Sequence, residues 1–590
     1  MTRCPHALGM MVILAAVFVP PSLSQENAAK PLFEYRELNH PIVGTKGMVA
    51  SRNALASEIG AQILREGGNA IDASAAVGFA LAVTLPRAGN IGGGGFTLVH
   101  VAAQKKTIAI DFRETAPASA HQDLFFGDDG AVVADEIYRF SHRSSAVPGS
   151  VAGLAHLLTK YGTMSLKEVL APAIRLARDG IVVTHDLAND LARSQRLRNN
   201  PASLKKFYKP DGSNYSPGEL FVQPDLAWTL AEIAQHGVDA FYRGSVAEKI
   251  AADMQAHNGL ITMADLDAYR VVEREPVKGR YRGYEIEAMP APSSGGTHVI
   301  QMLNILENFP LSTMGPESAD TLHLMAEAMK FSYADRSKYL GDPDFVRIPT
   351  QTLVSKTYAK ALAARISMEA ALPSDEIAPG DINVFESDDT THFSIVDSAG
   401  NMVGTTYTLM YSFGSGVVIE GTGILMNNNM GNFTLRSDIP DAFGLMGSED
   451  NLIRPGRRPV SSMSPVLVSS DGRPVLMTGS PGGSRIISTN MQMVLNVLEF
   501  GMNIADAAAA PRIHHQWRPD ILRIESGISP DTVSILMNRG HNVDAGARSP
   551  GMGSLQTVMW KDGLFYGYSD PRRPGARAVG VDKISVTAGK

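Results

Sequence analysis

The chain has 590 residues, 44% of them hydrophobic and 19% charged, which suits a soluble globular protein with a substantial buried core. Its net charge is −7 and no long basic run is present, which argues against nucleic-acid binding. The only cysteine, Cys4, lies before the first apolar run, so a mature chain would carry no disulfide, no thiol nucleophile and no cysteine-based metal site.

Residues 1–24 read as a secretory signal, and export to a periplasm or the outside is the expectation. Arg3 gives a positive start, and Ala7 to Val19 is an apolar run too short to span a bilayer easily. Pro20-Pro21 ends it, and Ser22-Leu23-Ser24 supplies small residues for cleavage before Gln25. The alternative is an uncleaved membrane anchor.

The first half then reads as mainly helical. Ser51 to Pro86 holds good helix formers broken by Gly67-Gly68, and its apolar part, Ala73 to Leu85, suits a buried helix better than a membrane span. The glycines around Gly93 do not form a dinucleotide-binding turn, and Ser203-x-x-Lys206 stands without supporting motifs. Thr321 to Phe331 places Leu322, Met325, Ala326 and Met329 on one helix face. Residues 366–389, with Pro373, Pro379, Gly380 and several acids, read as an exposed loop.

From Thr390 onward strands dominate: a hairpin, then Gly423 to Met426, Val466 to Ser469, Pro474 to Thr478 and Leu555 to Trp560. The hairpin is the most informative stretch. Asp389-Thr390-Thr391-His392-Phe393-Ser394 opens its first strand, Ser398-Ala399-Gly400 makes the turn, and Met402 to Leu409 returns. A three-residue loop favours Gly at its last position, where φ is positive. Counting outward from Asp397 opposite Asn401, Thr390 opposes Thr408. Directly opposed residues have Cβ atoms about 4.5–5.5 Å apart, so two hydroxyls meet at the open end of the hairpin.

A threonine hydroxyl needs an adjacent base, and the amine of the same residue serves when it is a chain terminus. Such an amine titrates near ~7.7–8.0, so much of it is neutral around neutral pH. Thr390 could act this way only after the Asp389–Thr390 bond is cut. The alternative is a plain threonine-rich hairpin. His514-His515 reads as structural, because neighbouring histidines seldom point to one ion and no carboxylate or cysteine cluster accompanies them.

Several longer runs resolve the choice. They are Ile91-Gly92-Gly93-Gly94-Gly95-Phe96, Asp111-Phe112-Arg113-Glu114, Ala146 to Gly153, Met289 to Gly296, Ala334 to Pro343, Ser461 to Pro465, Gly479 to Arg485 and Pro511 to Trp517. In this order, over nearly the whole chain, they resemble the γ-glutamyltranspeptidase family of glutathione hydrolases, which belong to the N-terminal-nucleophile hydrolases. The resemblance implies an α+β fold, a four-layer αββα sandwich. It also implies one globular unit of two chains after self-cleavage, residues 25–389 and 390–590, and no cofactor or metal.

By the same resemblance Thr390 is the nucleophile, Thr408 orients its amine, and Gly482 and Gly483 form the oxyanion hole. Glycines let backbone N–H groups approach a developing oxyanion. Arg113 would bind the substrate carboxylate, whose two oxygens a guanidinium fork matches, with help from Ser461 and Ser462. Without the resemblance, Arg113 reads as a surface ion pair with Glu114, and the serines as turn caps.

Three positions depart from the family pattern. Met410, Asn429 and Asn432 stand where amide and carboxylate groups would hold the substrate α-ammonium. Hydrogen bonds to charged groups are worth roughly 1.5–3 kcal/mol, so γ-glutamyl binding would weaken by about 10- to 100-fold. A glutaryl amide, which lacks the amine, would lose nothing. The leading expectation is an exported, self-processing γ-glutamyl hydrolase or transferase acting on glutathione and related amides, with water or an amino acid as acceptor. The second is a glutaryl or cephalosporin-acylase-like amidohydrolase. A third, from another class, is an unprocessed binding protein of the same fold.

Overall fold

The computed structural model describes residues 38–377, 389–436, 439, 447–546 and 551–582. The signal expected at 1–24 and residues 378–388 of the loop expected at 366–389 lie outside these residues. Of that loop, Ser367, Glu369, Asp375 and Glu376 are exposed, but the backbone is tied down. Lys330 donates to Leu372 O at 2.8 Å, and the Trp517 indole N–H is shared between Ser374 O and Ile377 O, both at 2.9 Å.

Asn53 caps the helix Ala54–Arg65, and Asn69 forms a capping box with Asp72 at the start of Ala70–Thr84. Between them Gly67 takes a φ of +96°, which breaks the run where the sequence suggested. Ala70–Thr84 is buried along its whole length, as its apolar composition requires. Among the described residues no helix is long and apolar enough to cross a membrane.

Two seven-stranded antiparallel sheets form the centre. The first runs, in spatial order, Arg577–Val581, Gly47–Ser51, Asp389–Asp397, Met402–Met410, Gly94–Val101, Lys106–Phe112, Val272–Arg274. The second runs Ile42–Gly44, Leu564–Ser569, Gln556–Lys561, Arg473–Gly479, Val466–Ser470, Tyr284–Ala288, Val277–Tyr281. Their facing sides bury Met48, Phe96, Leu98, Val396, Met402, Leu467, Met477 and Val558 in one cluster. The outer face of the first sheet packs Val49, Val99, Ile110, Phe393, Ile395 and Val403 against the helices 54–65 and 70–84. Helices Gly295–Leu306 and Arg485–Leu498 cover the second sheet, with Ala319–Tyr339 beyond. This is the four-layer αββα sandwich.

The expectation of a mainly helical first half missed the strands Gly94–Val101 and Lys106–Phe112. Glycine disfavours strands on its own. Here a side chain would collide with the neighbouring strand: a Cβ on Gly95 would lie 2.3 Å from Thr406 O, and one on Gly93 2.1 Å from Thr408 O. Close backbone approach, not propensity, places the glycines there.

Candidate active site

The hairpin carries the expected register. Val396 opposes Met402, Phe393 opposes Thr405 and Thr390 opposes Thr408, with an irregularity between Asp389 and Thr390. Gly400 in the turn has φ +89°. Side chains alternate across a strand. Phe393 and Ile395 therefore enter the helical layer, while His392 and Ser394 face the second sheet, where Ser394 donates to Gln556 O at 2.9 Å. Thr390, two residues before His392, shares its face and sits at the edge of the inter-sheet space.

There Thr390 Oγ1 donates to Thr408 Oγ1 at 3.4 Å, and Thr408 Oγ1 accepts the backbone N–H of Met410 at 2.8 Å. Both threonines are buried. They open onto a cavity of about 20 Å³, lined also by Arg113, Arg336, Met410, Asn432, Val460, Ser461, Ser462, Met463, Gly483 and Ile486. That volume is on the scale of one water molecule.

Met410 holds φ +85°, a left-handed conformation unusual for a side-chain-bearing residue, and turns the chain sharply after Thr408. Gly482 and Gly483 have φ of +132° and +54°, a pair that glycine alone tolerates without strain. Gly483 lines the cavity, whereas Gly482 stands one residue back and accepts the Arg485 N–H at 2.9 Å. Ser461 Oγ accepts the Met463 N–H at 3.1 Å, the local turn bond that a serine offers, while Ser461 and Ser462 both remain on the cavity wall.

Arg113 is buried, so its pairing with Glu114 is not a surface contact. Its Nη1 donates to Glu114 Oε2 and Asn429 Oδ1, both at 3.0 Å, its Nη2 to Asn432 Oδ1 at 2.7 Å and its Nε to Pro459 O at 3.2 Å. Asn429 does not line the cavity. It lies behind Arg113, where its Nδ2 donates to Glu114 Oε1 at 2.6 Å and closes a triangle of side chains. Burial raises the Glu114 carboxyl above its ordinary range, against the opposing pull of Arg113. Asn432 lines the cavity with its amide oxygen on the guanidinium.

The described lining therefore holds two guanidiniums and no carboxylate. Arg336 belongs to a run noted in the sequence, but nothing there assigned it to the cavity. A charged residue on a helix buried over most of its length was the available signal. Ser203 and Lys206 do not pair: Ser203 Oγ donates to Gly416 O at 2.6 Å, and Lys206 Nζ bonds Gly423 O. His514 and His515 point to separate partners, Ser488 at 2.8 Å and Asp520 at 3.0 Å. His323, Glu327 and His541 lie close enough together to hold an ion away from the cavity, but Lys330 already donates to Glu327 at 2.9 Å.

Two stacked antiparallel sheets between helical layers, with a threonine at the head of a central strand, define the N-terminal-nucleophile hydrolase class. The sequence profile of the γ-glutamyltranspeptidases matches residues 56–580. The chain belongs to the γ-glutamyltranspeptidase family. It is 51% identical over 536 residues to a glutathione hydrolase proenzyme of Escherichia coli (strain K12), covering 90% of this chain and 91% of that one. It is 37% identical over 548 residues to an acylase ACY 1 proenzyme of Pseudomonas sp. (strain SE83), covering 91% and 94%. The crystal structure of a cephalosporin acylase from Bacillus halodurans superposes with a TM-score of 0.82 at 29% identity, covering 96% of this chain and all of that one.

Proposed function

We propose that this protein is an exported γ-glutamyl hydrolase or transferase that processes itself between Asp389 and Thr390. The observation that carries the reading is the hydroxyl pair of Thr390 and Thr408, opposed across the hairpin on a buried cavity that Arg113 also lines.

In the precursor the Thr390 hydroxyl attacks the preceding carbonyl, and water hydrolyses the resulting ester. Chains 25–389 and 390–590 remain, and the second begins with a free amine. Thr408 holds that amine. The amine takes the hydroxyl proton as Thr390 attacks the γ-amide carbonyl, and N–H groups at Gly482 and Gly483 carry the oxyanion. The amine product leaves with the proton. The acyl-enzyme then passes its acyl group to water or to an amino-acid acceptor. Arg113, Ser461 and Ser462 anchor the acyl chain's carboxylate. Asn429 acts through Arg113 by holding its orientation.

The second reading uses the same machinery on glutaryl or other dicarboxylate acyl groups. It is favoured by Met410 and Asn432 on a cavity wall whose described residues include no carboxylate for an α-ammonium. Initial rates on matched γ-glutamyl and glutaryl anilides test the two readings. Preference for γ-glutamyl supports the first, preference for glutaryl the second. A purified protein that stays a single chain on a denaturing gel and turns over neither overturns both.

A further inference from the structure

His142, Asp253 and His257 form a group of ligating side chains that acyl transfer does not use. Asp253 lies in the last turn of the helix Ser245–Ala256, and His257 follows that helix four residues on, so the two share a face. His142 comes from another segment, the short turn His142–Ser144. Its Nε2 stands 3.0 Å from Asp253 Oδ2, and His257 Nδ1 stands 3.6 Å from Asp253 Oδ1. The two imidazoles stack with centroids 4.6 Å apart. One ligand atom from each residue lies within 4.8 Å of the other two. None of the three lines the cavity at Thr390.

His142 is buried, Asp253 half-buried and His257 exposed. Among the described residues the Asp253 carboxylate pairs with these two rings and with no lysine or arginine. The group at His323, Glu327 and His541 differs, because Lys330 already supplies a cation there. Two imidazole nitrogens and one carboxylate oxygen are donors that Zn2+ takes at about 2.0–2.2 Å, with water free to complete a tetrahedron. Tetrahedral ligands at that reach stand about 3.3 Å from one another, the scale of the spacings around Asp253.

We infer that His142, Asp253 and His257 bind a divalent transition-metal ion of the Zn2+ class. Binding uses the Nε2 lone pair of His142, whose ring proton then sits on Nδ1. His257 Nδ1 gives up its 2.9 Å contact with Asp253 O. The ion joins the helix Ser245–Ala256 to the segment that backs the substrate wall. In that segment Arg139 O accepts Asn428 Nδ2 at 3.0 Å, and the Tyr138 hydroxyl donates to Gly431 O at 3.4 Å. Ala146 N–H donates to Asn427 Oδ1 at 3.0 Å, and Ala146 O accepts Asn427 Nδ2 at 2.8 Å. The ion therefore braces the turn that carries Asn429 and Asn432, whichever acyl group the protein takes.

The test is a calorimetric titration of the untagged protein, stripped with EDTA and dialysed, with ZnCl2 at neutral pH. A single ion should bind per protein molecule. His257→Ala removes an exposed side chain at a helix end, and Asp253→Asn keeps the shape of the carboxylate. Each should weaken binding by at least about tenfold, since even a group that only orients a ligand is worth about 10- to 100-fold in metal affinity. ZnCl2 should also raise the melting temperature of the wild type more than that of His257→Ala. No saturable binding by the wild type, unchanged affinity in either variant, or an equal shift in melting temperature overturns the inference.

Discussion

Asn432→Asp places a negative charge where the structure now has an amide oxygen, 2.7 Å from Arg113 Nη2. No described residue lining the cavity is anionic, because Glu114 lies behind Arg113. An α-ammonium bound in so small a space would come within roughly 5 Å of the new carboxylate. Two unit charges at that distance interact by about 3 kcal/mol at an effective dielectric of ~20. Part of this is spent on Arg113, which binds the new carboxylate more tightly than the amide. About 1.4 kcal/mol, a factor of about ten, remains as discrimination. The same carboxylate competes with a glutaryl carboxylate for Arg113 and repels it. The ratio of kcat/KM for γ-glutamyl over glutaryl anilide should therefore rise about tenfold, with Met410 limiting the gain. A flat or falling ratio would mean that Asn432 does not face the amine, and the case for altered substrate choice would collapse.

N-terminal sequencing of the smaller fragment should read Thr-Thr-His-Phe, and Thr390→Ala should abolish both that fragment and turnover; an active intact chain would rule out the terminal-amine mechanism. Arg113→Lys keeps the charge but cannot make the contacts to Glu114, Asn429, Asn432 and Pro459 together, so kcat/KM on carboxylate-bearing donors should fall by about tenfold or more. Wild-type kinetics in that variant would remove Arg113 from the site. His392, buried between Thr406 and Ser394, has its pKa lowered by desolvation to about 3. The unfolded chain takes up that proton near pH ~6.5, so the contribution of His392 to stability is present above that pH and is lost as pH falls toward 3. Denaturant titrations from pH 7 to 5 should show a stability slope shallower by about one proton, ~1.4 kcal/mol per pH unit, in His392→Asn, and equal slopes would show that His392 is not a buried neutral ring.

The hairpin was legible because its signals are local: a glycine-ended turn and threonines whose partners follow by counting. The helices on either side of Gly67-Gly68 were legible for the same reason. What the sequence hid depends on contacts between distant segments. Gly93 and Gly95 look hostile to a strand until the carbonyls of Thr408 and Thr406 are seen against them. Glu114 follows Arg113 directly and reads as its exposed partner, but the sheet buries both and brings Asn429 across to complete the triangle. Asn429 had been expected to meet the substrate, and only the three-dimensional arrangement turns it toward Glu114. Arg336 has no neighbour in sequence that betrays its direction. The bonds from Tyr333 to Ser484 and from Arg336 to Ser294 set it beside Gly483.

The turn at Ser398-Ala399-Gly400 works as a length gauge for the chemistry at the other end of the hairpin. With side chains alternating at every step, one residue added to or taken from either strand would rotate its end by half a turn and send one hydroxyl into the helical layer. Thr390 and Thr408 would then both be present, unmutated, and unable to meet. The reactive pair is specified by a residue count as much as by two threonines, so a one-residue insertion in either strand of this hairpin should inactivate the protein as thoroughly as removing the nucleophile, while leaving its composition almost unchanged.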